Sequence, residues 1–140
     1  MGTFADELRN TQPPKKKPSK VEAFYKDYDK KKNDVYQSVL HRFKGECSEA
    51  ARQGKRKVVS IPSRQGYGGL YSCGIRIGGL LDLEMRFHAK KMADEIKQML
   101  DADLSKMGFT RYKIRVENKT VYAAYGANSY YYHFVIEASW

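Results

Sequence analysis

The chain has only two cysteines in 140 residues, Cys47 and Cys73, and no C-x-x-C spacing. That number cannot build a disulfide framework, so the pair reads as reduced thiols of an intracellular protein. Long apolar runs are also missing. None approaches the ~18 residues of a membrane span, which predicts no membrane-embedded segment. The first residues are polar and lack an apolar leader core, so no secretory signal is expected. Gly2 begins a poor myristoylation match, because Asp6 stands where that motif wants Ser or Thr.

Catalytic and cofactor motifs are absent too. The glycines between Ser63 and Gly79 form neither a G-x-x-x-x-G-K-[ST] phosphate loop nor a G-x-G-x-x-G turn leading into a helix. Arg64-Gln65-Gly66-Tyr67-Gly68-Gly69 reads either as a plain connection or as a nucleic-acid-contacting loop of RGG type. Cys47, Cys73, His88 and His133 have no paired ligand spacing, which argues against zinc. Asp101 and Asp103 read as solvated residues at a helix end. The expectation is therefore a non-enzyme with no cofactor and no metal.

Positive charge is abundant. Lys and Arg number 26 against 16 Asp and Glu, a net charge of +10. Such an excess favours nucleic acid, an anionic membrane surface or an acidic protein as partner. Lys15-Lys16-Lys17, set between Pro14 and Pro18, cannot bury a core and predicts an extended basic arm over residues 1–18. A short helical turn around Phe4–Leu8 is the exception within it. Lys30-Lys31-Lys32 and Lys55-Arg56-Lys57 are further basic runs. Each is readable as a backbone-wrapping contact, as a solvated surface or as a nuclear-localisation-like stretch.

Residues 19–140 read as one domain. Ser19-Lys20-Val21-Glu22 fits a capping box at a helix start. Phe24, Tyr28, Val35, Val39, Phe43, Cys47 and Ala50 then recur at helical steps up to a stop at Gly54. Lys30–Asp34 interrupts the stripe and predicts two helices rather than one. Lys57–Ile61 reads as a strand, and Tyr71–Ile77 as a small one. A second main helix should run from near Asp82 to Gly108, with Met85, Ala89, Met92, Ile96, Met99, Leu100, Leu104 and Met107 on its apolar face.

Alternation then predicts strands at Thr110–Glu117, Val121–Tyr125 and Tyr130–Ser139, turning at Asn118-Lys119 and at Gly126–Ser129. The fold expected is α+β, with two main helices packed on one face of a small, mostly antiparallel sheet that ends in a three-stranded meander. The order excludes the α-β-β-β-α arrangement of a double-stranded-RNA-binding domain.

With Tyr112, Ile114 and Val116 facing the helices, Arg111, Lys113 and Arg115 should stand on the other face. Tyr131, His133 and Val135 of the last strand would join them. Cations beside a tyrosine suit nucleic acid, through phosphate pairing and base stacking. The competing reading is an ordinary solvated face, with Tyr131 and Val135 covered by the N-terminal helix.

Glu49-Ala50-Ala51-Arg52-Gln53-Gly54-Lys55, Leu104-Ser105-Lys106-Met107-Gly108-Phe109 and the ending Val135-Ile136-Glu137-Ala138-Ser139-Trp140 give a general style of Gly-stopped helices and a terminal aromatic strand. Over about residues 45–140 the chain resembles uncharacterised small α+β proteins of phages and large DNA viruses. The resemblance implies a viral origin, in host cytoplasm or virion, and brings no catalytic residues. The function expected is a non-enzymatic contact with nucleic acid or nucleoprotein. The alternative is a protein–protein element, either a minor virion component or an inhibitor of a host machine.

Overall fold

A computed structural model of the chain describes residues 2–10, 19–61, 73–78, 83–121 and 129–140. The elements in order are α1 (Phe4–Asn10), α2 (Lys20–Lys26), α3 (Tyr28–Arg52), β1 (Lys57–Ser60), β2 (Gly74–Gly78), α4 (Leu83–Ser105), β3 (Arg111–Val121) and β4 (Ser129–Ser139). The fold is α+β, as the periodicity predicts. Lys15–Lys17 and most of the glycine-rich stretch lie outside the described residues.

Local chemistry sets the helix ends. The Ser19 hydroxyl accepts the backbone N–H of Glu22 at 3.2 Å, which caps α2. At the end of α3, Gly54 takes φ +78° while Lys55 N–H returns to Ala50 C=O and Gly54 N–H to Ala51 C=O. These two bonds make a Schellman motif, and the left-handed backbone explains the glycine. Gly108 ends the α4 segment with φ +83°.

The helix break falls at Asp27, upstream of the expected Lys30–Asp34. The lysine run continues through α3, where Lys31 and Lys32 have partners. Lys32 reaches Glu95 at 3.5 Å and lies 5.4 Å from the Tyr28 ring centre.

The sheet has four antiparallel strands centred on β4. β3 pairs with β4 along its whole length, from Arg111 opposite Ser139 to Val121 opposite Ser129. The other side of β4 is shared. β1 takes Ile136–Ser139, and β2 takes Tyr130–His133. Asn118 and Lys119 do not turn the chain; they pair with Tyr132 and Tyr131 inside one long strand. The strand expected at Thr110–Glu117 thus runs on to Val121 and pairs directly with β4, while residues 122–125 of the expected Val121–Tyr125 strand lie outside the described residues.

The helices cover one face. Phe43, Met92, Ile96, Leu100 and Leu104 pack against Ile75, Ile114, Tyr132, Phe134 and Ile136 in one cluster. The α2–α3 pair and α4 also meet through a polar seam. The Tyr25 hydroxyl lies 2.6 Å from His88 Nδ1, Tyr28 donates to Glu95, and Tyr36 donates to Asp103. Both partners in these contacts advance together along the chain, so α3 and α4 run parallel.

Candidate nucleic-acid interface on the open sheet face

Side chains alternate across a strand, so the register assigns every residue of the second face. Lys57, Ser139 and Arg111 form one row across β1, β4 and β3. Val59, Glu137 and Lys113 form the next. Val135 and Arg115 follow, then Gly74, His133 and Glu117, then Arg76, Tyr131 and Lys119. Strands lie about 4.8 Å apart, so Lys57 and Arg111 stand roughly 10 Å from one another across β4.

Lys57, Arg76, Arg111, Lys113 and Lys119 are exposed, and no ion pair holds any of them among the described residues. Arg115 differs. It pairs with Glu137 at 3.3 Å and Glu117 at 3.8 Å, so its charge is neutralised inside the face. The face therefore divides into two cationic ends. Lys57, Arg111 and Lys113 flank a groove of about 380 Å³ that Val59, Glu137 and Ser139 also line. Lys55 and Arg56, exposed, precede β1 and lie outside the paired register, whereas Arg76 and Lys119 lie at the other end of the face.

The strip between them is dry. Tyr131 and His133 are each 4% exposed and Val135 is 1% exposed, though none belongs to the cluster under the helices. Tyr131, expected as a stacking platform, is thus withdrawn from solvent. His133 Nε2 lies 3.5 Å from Glu117, and neither ring nitrogen makes a hydrogen bond of good geometry among the described residues. Burial lowers its pKa despite the opposing pull of Glu117.

The other predicted contacts scatter. Lys30 is exposed on α3, remote in sequence from the sheet. Lys31 donates to the Ala23 carbonyl at 3.2 Å, and Lys32 is half-buried against Glu95. These last two charges are already engaged within the protein. Lys119 and Arg76 were missed by sequence reasoning. Lys119 continues the odd-numbered alternation of Arg111, Lys113 and Arg115, a signal that the assumed turn obscured; Arg76 sits in a five-residue strand with little pattern of its own.

Among the described residues no group of three or more His, Cys, Asp or Glu is placed to hold a metal ion. No helix among them is long and apolar enough to cross a membrane. Cys47 is half-buried, and burial pushes its thiol up to about 11, so it is protonated at neutral pH and a poor nucleophile. Comparison with family models, curated proteins and solved structures finds no match for this chain.

Proposed function

We propose that this protein is a non-enzymatic nucleic-acid-binding protein whose sheet face contacts the phosphate backbone. One observation carries the reading: Lys57, Arg111 and Lys113 flank one groove of the second face, exposed and without carboxylate partners among the described residues, and exposed Lys55 and Arg56 precede Lys57 in the chain. Glu137, the acid lining this groove, is held by Arg115. Cations so placed attract polyanions by releasing condensed counterions.

On this face the proposed contact is with backbone, since Tyr131 is not presented for stacking. Stacking needs a presented ring, and Tyr131 is 4% exposed. A contact made by this face alone is nearly independent of sequence. The Lys15–Lys17 arm adds charge to the same electrostatic contact.

Equilibrium binding to two unrelated DNA duplexes over a range of salt tests this. The reading expects equal affinities that fall steeply with salt. Silence on both duplexes would favour an acidic protein as the partner.

A further inference from the structure

β3 is bonded to β4 along one side only. Among the described residues no strand pairs with its other side, from Arg111 to Val121. The sheet itself fixes which backbone groups point outward there. Trp140 N–H donates to Arg56 C=O at 2.9 Å, so the even-numbered residues at this end of β4 bond toward β1. The odd-numbered ones then bond toward β3, and the register matches them to the odd-numbered residues of β3. The outward N–H and C=O groups are therefore those of Tyr112, Ile114, Val116, Asn118 and Thr120.

Natural edge strands are commonly kept short, bulged or broken by proline. This one runs eleven residues without proline, and its register with β4 has no shift. Its lysines do guard it, but only against another basic strand. The two faces also differ. Arg111, Lys113 and Lys119 are exposed on one, without ion-pair partners among the described residues. On the other, Ile114 is buried in the helix-packed core, and half-buried Tyr112 and Val116 pack against it.

We propose that β3 receives an extended segment of a partner protein as an added antiparallel strand, in which acidic and apolar residues alternate. Main-chain pairing with the outward groups supplies the binding, and the side chains supply selectivity. The acidic residues fall opposite Arg111, Lys113 and Lys119. Those are the non-hydrogen-bonded positions, where paired Cα atoms stand about 4.5 Å apart instead of about 5.5 Å, so cross-strand ion pairs are closest there. The apolar residues extend the layer of Tyr112, Ile114 and Val116. A second copy of β3 fits poorly, because the full-length two-fold register sets Lys113 against Lys119 of that copy. The contact is made by the strand edge, so it stands separately from the DNA reading.

A synthetic peptide of the eleven residues that match β3 tests this on the full chain. Glu and Val alternate in it from a first Glu, with Thr at the fifth position, which faces Glu117. Binding should slow amide hydrogen exchange at Ile114 and Val116, whose N–H groups point outward. Replacing every Glu by Lys should weaken binding by about tenfold or more. The Val N–H groups of the peptide face β3, so N-methylating the Val residues should abolish binding, whereas N-methylating the Glu residues should leave it unchanged. No binding, equal loss from the two methylation patterns, or tighter binding of the Lys peptide overturns the proposal. Protection of the same amides on raising the protein concentration alone would make a second copy the occupant and overturn it equally.

Discussion

Arg115 reaches from β3 to Glu137 on β4 at 3.3 Å, and this pair separates the cations of the open face into two ends. The register puts Lys113 directly opposite the same Glu137, yet Lys113 forms no ion pair with it. Arg115 has taken the acid. Lys113 has no ion-pair partner among the described residues.

Adjacent positions on β3 should therefore behave oppositely. Ile114 is 7% exposed in the helix-packed core, so Ile114→Asp buries an unpaired charge and should destabilise by more than about 4 kcal/mol. Lys113→Glu should melt within about 0.5 kcal/mol of the parent and lose affinity for DNA. Thermal melts and a binding titration on both variants check this. An unfolded Lys113→Glu beside a stable Ile114→Asp would reverse the face assignment.

The Tyr28–Glu95 contact should show in the pH dependence of stability. The Tyr28 hydrogen bond holds the Glu95 carboxyl below its usual range, while burial and Glu95 push the Tyr28 hydroxyl well up. A depressed carboxyl stabilises above its unfolded pKa, and that contribution fades as pH falls through the lowered folded value. A raised phenol stabilises below its unfolded pKa, and that contribution fades as pH rises toward the raised one. Tyr28→Phe should thus cost about 1 kcal/mol at neutral pH, a modest figure because Glu95 is partly solvated. Denaturant melts should show the gap narrowing below about pH 4 and above about pH 10. A gap constant across that range would remove the contact from the account.

His133 makes a separate acid limb. Its folded pKa is lowered, so the unfolded chain takes up a proton first, and stability drops as pH falls below about 6.5. His133→Gln should flatten the change in melting temperature between about pH 7 and 5. An equally steep fall in the variant would assign that limb to other groups.

Ser19→Ala should cost about 0.5–2 kcal/mol through loss of the α2 cap. Gly54→Ala should cost about 1–2 kcal/mol by forcing a side chain into left-handed backbone. Chemical denaturation measures both. A neutral Gly54→Ala would mean that the turn relaxes to another conformation.

Those two sites were legible in the sequence because their chemistry is local: a hydroxyl beside a helix start, and a glycine where the backbone turns left-handed. The faces of β3 and β4 were legible for the same reason, since alternation is a property of the strand itself. The misreadings are tertiary. Asn118 and Lys119 resemble a turn until eleven paired residues of β4 extend the strand through them. The lysine run resembles a helix break until Glu95 and the Tyr28 ring meet Lys32. The burial of Tyr131 depends on what covers the second face, and no periodicity within β4 reports that.

The most direct test of the central claim is the salt dependence of duplex DNA binding, compared between the full chain and Lys57→Ala/Arg111→Ala/Lys113→Ala. Log affinity against log salt should fall by about 0.9 per phosphate contacted, and the triple variant should flatten that slope by about two to three units without loss of fold. A slope near zero in the parent, or an identical slope in the folded variant, would contradict a backbone-binding sheet face.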